Sequence, residues 1–392
     1  MDNHPARGGV SPTTSSSSHR ATLTAVFAAF GAAIGALAGS MPSVMRNAGL
    51  DAETFGLGLT LSTLMTVTAM SLGGRIARRA SNRLVLLCVL PVFAVSLFAY
   101  LTSTSALWFF VTIPLMGVCF GLTDLFMNAE AVALEHDLRR PVFMAFHGAV
   151  SAAVGVMSVA ASFLSTAAGT WSVGLAVAAF FAVAWWMVLR HVTPRPLARG
   201  AAARIASLPN KLPLVLLGIA AGLIIAAETA ALLWSANLLD EMAPALGAIA
   251  GIGAAFFGLC NAAVRFPGDR MRSLFGDMPL MVASLTISIA GFVTLGASSN
   301  YALSVISFAA VGLGLGLLIP CIFALSARLV PQNSAGALSF VSMLTAAPRI
   351  LAPLAFGFVT SEFGTAFAFG LVAVGLVMAL LLVLAFARGR WI

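Results

Sequence analysis

Five ionisable side chains, Asp124, Glu130, His147, Glu228 and Arg349, lie within or at the ends of long apolar runs of this 392-residue chain. A charge in hydrocarbon costs at least about 2.5 kcal/mol, so each of these groups needs a compensating role. Asp124 and Asn128 are four apart and share one helix face, and Glu135 falls about three turns beyond Asp124 on nearly that face. His147 begins the next apolar run, only about 8 Å along the helix from Val142. The two runs cross in opposite directions, which turns these ends toward each other. A carboxyl lifted by desolvation and an imidazole both titrate near neutrality. Asp124 and His147, assisted by Asn128 and Glu135, can therefore form a proton-coupling or gating network. The competing reading is structural, with the same groups closing one end of the bundle through hydrogen bonds and Arg79 or Arg139 as partners. Glu130 stands where its helix reaches the headgroups and is expected to be wet.

Glu228 and Arg349 lie at similar depth in two runs that cross in the same direction, Glu228 roughly 22 Å from the start of its run. Glu228 either contacts solute or proton, in which role it joins the coupling set, or forms a structural pair with Arg349. Further along the same run, Trp234 and Asn237 offer an aromatic plane and an amide that suit the apolar face and hydroxyl edge of a sugar or cyclitol. Trp234 reads equally well as a residue of the interfacial belt. Asn261 either touches solute or bonds across helices. The candidate substrate-binding set is thus Glu228, Trp234, Asn237, Asn261 and Arg349. No His-Glu-x-x-His, paired catalytic Asp or Gly-x-Ser-x-Gly pattern occurs, so no catalytic residue, metal site or cofactor is predicted. Cys88, Cys119, Cys260 and Cys321 are isolated within apolar runs and read as small core hydrophobes.

The elements that must position these residues follow from composition. The chain is 60% hydrophobic and 9% charged, with a mean hydropathy of +1.02, where a soluble domain carries about 25% charged residues. A run of about 20 apolar residues crosses the bilayer as a helix, because only a helix satisfies its own backbone there. Twelve such spans are predicted, at 22–45, 54–73, 84–102, 107–130, 142–166, 170–190, 213–238, 244–264, 279–297, 302–326, 335–359 and 363–387. The fold class is an all-α polytopic membrane protein, and the first 20 residues form a disordered cytoplasmic tail with no signal peptide.

Of the 21 Lys and Arg, 19 fall on one side of a single threading of these spans, Arg46 and Arg349 being the others. The positive-inside rule places both termini in the cytoplasm, and it explains the net charge of +8 without nucleic acid. The gap 191–212, with Pro194, Pro196 and Pro209, reads as a cytoplasmic linker between six-helix units at 21–190 and 213–392. Each unit has an arginine-rich gap after its second span. Arg75, Arg78 and Arg79 stand in the first and Arg265, Asp269 and Arg270 in the second, and matching Arg78 to Asp269 gives a repeat offset of 191 residues. Duplicated helical halves with a site between them are the architecture of many secondary transporters. Gly31, Gly35 and Gly39, and more loosely Gly247, Gly251 and Gly258, form stripes that permit close helix approach. Pro42, Pro114, Pro320, Pro348 and Pro353 are read as span interruptions.

The segment RFPGDRMRSLFG, Arg265 to Gly276, resembles the loop between the second and third helices of each half in the major facilitator superfamily, with Asp269 and Arg270 carrying the match. In the first half Arg78 occupies the expected Asp position, and Ser81 or Asn82 the usual Gly. A narrower resemblance, carried by Asp124, Asn128, Glu135, Pro141 and His147, is to a bacterial branch that includes rhizopine transport proteins and uncharacterised inner-membrane transporters. The resemblance implies twelve helices in two pseudo-symmetric six-helix bundles, alternating access, and a sugar, polyol or amino-cyclitol such as a rhizopine as solute. It implies a gate formed by the loop residues Arg75, Arg78, Arg79, Arg265, Asp269 and Arg270. The expected partners are a small-molecule solute, protons and membrane lipid, for a monomer in the inner membrane. Isolated Asp124, Glu228 and His147, without a carboxylate-and-carbonyl cage, favour proton over sodium coupling. Proton-driven efflux of amphipathic compounds and a non-transporting receptor are the alternatives.

Overall fold

A computed structural model describes residues 13–138, 142–194 and 211–389 and carries twelve helical spans long and apolar enough to cross a membrane. Residues 1–12 of the expected tail, the linker stretch 195–210, and Arg139, Arg140, Pro141 and Arg390 lie outside the described residues. The first six spans are α1 (Thr13–Ala48), α2 (Ala52–Ala77), α3 (Asn82–Leu101), α4 (Ala106–Leu138), α5 (Phe143–Ala167) and α6 (Thr170–His191). The second six begin with α7 (Leu212–Met242). The short turn Pro244–Ile249 then leads into α8 (Ile252–Arg265), and α9 (Gly268–Phe275) fills the arginine-rich loop. α10 (Asp277–Ala297) follows, then two broken spans, α11 (Tyr301–Leu315) with α12 (Leu318–Leu329) and α13 (Ser334–Leu344) with α14 (Ala346–Phe363), and finally α15 (Thr365–Arg388).

Three expectations change. α1 starts at Thr13, so residues 13–20 are helical rather than part of a disordered tail, and His19 within them is buried. The loop Arg265 to Gly276 is largely the helix α9. Only Pro320 and Pro348 stand at breaks, each the third residue of α12 or α14, where a missing N–H removes no helical bond. Pro42, Pro114 and Pro353 are carried inside continuous helices.

The internal repeat is sharper than the loop match suggested. Ser105 and Asn300 each accept a backbone N–H three residues on at the start of the fourth span of their half. Gly169 and Gly364, at φ +93° and +88°, make the turns into the sixth spans, and Asn82 and Asp277 are the first residues of the third spans. All three pairs are 195 residues apart, four more than Arg78 and Asp269. Elsewhere Asp51 caps α2, and bonds from the Thr54 hydroxyl and N–H hold its carboxyl below the ordinary carboxylate range.

Within the first half α1 packs on α5 and α6, and α4 on α2 and α3; within the second α10 packs on α11 and α15, and α7 on α15. The halves meet along α2 with α14, α5 with α8 and α1 with α7. A Cβ on Gly39 of α1 and one on Gly251 before α8 would both strike the carbonyl of Ser158 in α5. Gly31, Gly35 and Gly39 and, in the second stripe, Gly251 therefore bring backbones together on both sides of α5, whereas Gly247 faces the Asp240 side chain.

Candidate functional site

A cavity of about 160 Å³ lies between the halves. Its wall takes Ile34 and Leu37 from α1, Leu59 and three hydroxyl residues from α2, Met116 and Phe120 from α4, three residues from α7, and Arg349 from α14. Met116 and Phe120 continue at helical spacing to Asp124 and Asn128 on the same face of α4. The Arg349 guanidinium is within electrostatic range of Asp124.

Asp124, Asn128 and His147 are joined in one chain, as their spacing predicted. The Asn128 Nδ2 donates to Asp124 Oδ1 at 2.8 Å, and Asn128 Oδ1 stands 3.2 Å from His147 Nε2. Because the amide nitrogen faces a carboxylate, the amide oxygen faces the imidazole, and it can only accept. This assigns the proton to Nε2 of His147. The ring is held edge-on to Phe27 and beside Phe143.

Glu135 does not join that chain. Its Oε2 accepts the backbone N–H groups of Val142 and Phe143, both at 2.8 Å, and so caps the start of α5. Glu130, expected to be wet, is fully buried, because the helix runs eight residues beyond it and packs against its neighbours. Asn82 Nδ2 donates to its Oε2 at 2.8 Å, and His19 Nε2 stands 3.1 Å from its Oε1.

Glu228 does not pair with Arg349. Arg265 reaches it at 3.3 Å, while Arg265 Nε donates to the carbonyl of Gly316 at 3.1 Å. That carbonyl is freed by the break between α11 and α12, so one arginine both mends the break and neutralises an acid in the apolar zone. Arg265 also lies within electrostatic range of His147 across the halves. It belongs to the last turn of α8 rather than to the loop.

Trp234 is not at an interfacial belt, and it lines an apolar cavity between α7, α14 and α15. It is 1% exposed, edge-on to Phe55 of the other half and tilted against Phe356. Asn237 donates to Glu241 at 2.6 Å and to Thr365 at 3.0 Å, a tie between α7 and α15. Asn261 is buried, and neither its amide nitrogen nor its oxygen has a hydrogen-bond partner among the described residues.

Of the expected loop gate, Arg75, Arg78, Arg79, Asp269 and Arg270 are exposed, and among the described residues Asp269 forms only a 3.3 Å pair with Arg272. The buried acid there is Asp277, held by Arg272 at 2.7 Å and by Arg328. At the opposite end Arg46 of α1 pairs with Asp240 of α7 at 2.6 Å, and Ser162 of α5 donates to Ala248. Sequence reasoning missed His19, Asp240, Glu241 and Asp277. Asp277 was findable, since it follows the Gly276 turn at the position Asn82 takes in the first half.

The Major Facilitator Superfamily profile matches residues 217–390. "Membrane protein MosC" of Rhizobium meliloti is 26% identical over 366 residues, covering 91% of this chain and 88% of that protein. An "uncharacterized transporter" of Sinorhizobium fredii, y4wD, is 27% identical over 385 residues, covering 93% and 96%. Among solved structures, the nucleoside transporter NupG matches with a TM-score of 0.73 at 15% identity, over 96% of this chain and 99% of that one. The D-xylose-proton symporter matches with a TM-score of 0.74 at 15% identity, over 94% and 97%. Twelve spans in the arrangement of that fold, a superfamily profile matched over the second half of the chain and bacterial relatives matched over most of their length support a secondary transporter of the major facilitator type, multi-pass in the bacterial inner membrane.

Proposed function

We propose that the chain moves a small, polar, hydroxylated solute of the sugar or polyol kind by proton-coupled alternating access. The observation that carries the reading is the continuity of one α4 face from the cavity wall at Met116 and Phe120 to the Asp124–Asn128–His147 chain. A group that changes charge beside the solute couples the two bindings. Glu228 is held by Arg265, which leaves an amino-cyclitol without a free carboxylate and favours solutes lacking an amine. Both termini face the cytoplasm in this reading, so the end locked by Arg46 and Asp240 is the outer one. The protein works as a monomer, its halves at 21–190 and 213–392 rocking about the cavity.

The test is substrate-linked pH change in proteoliposomes under imposed gradients. Solute entry with alkalinisation outside the vesicles supports the reading; sodium dependence without proton movement defeats it. A second reading, proton-driven efflux of amphipathic compounds, is favoured by one observation. An apolar cavity of about 170 Å³ between α7, α14 and α15 shares Thr229 with the central one. Gradient-dependent export of lipophilic cations, with no flux of polyols, would select it.

A further inference from the structure

The wall of the central cavity has an uneven hydrogen-bonding chemistry. The Thr63, Thr66 and Thr229 hydroxyls each donate to the carbonyl one turn earlier, at 2.8, 2.9 and 2.9 Å. Their protons are spent on the backbone, so toward the cavity they present lone pairs and accept. The rest of the wall is apolar apart from Ser62 and Arg349, and Arg349 is its one charged side chain. A solute fitted to this wall brings hydroxyl donors for the threonines and one strong acceptor for a guanidinium.

We propose that the transported solute is a hydroxylated acid whose carboxylate binds Arg349 in place of Asp124. This deepens the transport reading above and rests on it. In the empty cavity a cation on the wall needs a counter-charge, because leaving it alone in a low-dielectric site is costly. Glu228 is committed to Arg265, and Asp124 lies next along the α4 face within range of Arg349. An incoming carboxylate takes over Arg349 and leaves Asp124 as a second negative charge beside it. Taking up a proton removes that charge, so proton and anion enter together and the pair crosses without net charge.

The groups that bear on Asp124 are few. Arg349 of α14 lies within electrostatic range of it without a direct ion pair, and Asn128 binds it from its own helix. His147 of α5 stands behind Asn128, with Arg265 of α8 in electrostatic range of the imidazole. The cavity-lining residues of α1 and α2 beside it carry no charge.

The protein in lipid nanodiscs is titrated with D-gluconate and D-glucuronate, and with their uncharged counterparts D-glucitol and D-glucose. Thermal shift is the first readout and calorimetry on the strongest hit the second. The acids are expected to bind more tightly than their neutral counterparts, by about thirtyfold or more. Arg349→Gln weakens acid binding about thirtyfold or more, since it strands a desolvated carboxylate, while Arg349→Lys retains part of it and serves as the folding control. Asp124→Asn removes the competing charge and makes acid binding tighter at alkaline pH. No shift with either acid, equal binding of the neutral partners, or full binding by Arg349→Gln overturns the inference. Neutral sugars carried with protons would leave the transport reading standing and this inference refuted. Arg349-dependent acid binding without gradient-driven flux would leave Arg349 as an acid-binding residue and defeat the transport reading on which the inference rests.

Discussion

Asn82 and Asp277 occupy one position in the two halves, the first residue of the third span, and take opposite sides of a bond. Asn82 donates to the buried Glu130 of the fourth span, whereas Asp277 accepts from Arg328 of the fourth span and from Arg272. The repeat has kept the junction of third and fourth spans polar and inverted which span carries the acid. The arginine-rich ends of the two halves are therefore held by different chemistry.

Asp277, not Asp269, should hold the second half's junction. Asp277→Asn leaves Arg272 and Arg328 without their carboxylate and is expected to cost about 1–3 kcal/mol. Asp269, 83% exposed, is expected to tolerate Asn within about 0.5 kcal/mol. Thermal unfolding of the two variants in detergent separates them, and equal loss would restore Asp269 to the gate.

The Arg46–Asp240 contact should open during the cycle. Arg46→Cys with Asp240→Cys, bridged by a short bifunctional maleimide, is expected to abolish flux, and each single variant treated alike keeps it. The native ion pair contributes only about 0–1 kcal/mol, being half in water, so Arg46→Ala should reduce stability little.

Glu135 and Asp124 should part company in function. Glu135→Gln keeps an oxygen for the Val142 and Phe143 N–H groups and is expected to retain proton movement, while Glu135→Ala costs about 1 kcal/mol of stability. Asp124→Asn is expected to uncouple, so that solute equilibrates without accumulating. Vesicle pH recordings alongside solute uptake decide it, and an uncoupled Glu135→Gln would place Glu135 back in the network.

Gly39→Ala and Gly251→Ala meet the same Ser158 carbonyl from opposite sides. Each is expected to cost about 1–3 kcal/mol in local overpacking. Gly39 lies within one half, so its loss appears as a lower Tm. Gly251 faces the other half, so its loss appears as greater reagent access to a cysteine placed at Arg46. Identical behaviour of the two would show that α5 moves with neither half.

The twelve spans were legible because bilayer thickness fixes their length and the cost of charge fixes their composition. The Asp124–Asn128–His147 chain was legible for a similarly local reason, a four-residue spacing followed by an antiparallel return. Glu228 was not, because its partner depends on how α7 and α8 are rotated against each other, which hydropathy does not encode. Depth alone paired it with Arg349. His19 was lost to composition, since a serine-rich approach reads as tail until burial beside Glu130 gives it a reason to fold.

The position of Ser158 between Gly39 and Gly251 bears on how fast the halves can pass one another. Where side chains interlock, sliding requires rotamers to change and voids to open, and the barrier follows packing. Around Ser158 glycine lets backbone lie against backbone on both faces of α5, and the side chain that crosses beside it is a small one, Ser162, bonded to the Gly251 N–H and the Ala248 carbonyl. α5 is then built as a bearing: sliding along it needs only short polar bonds to exchange, and the ion pair that ties the halves, Arg46 with Asp240, lies at its end rather than along it.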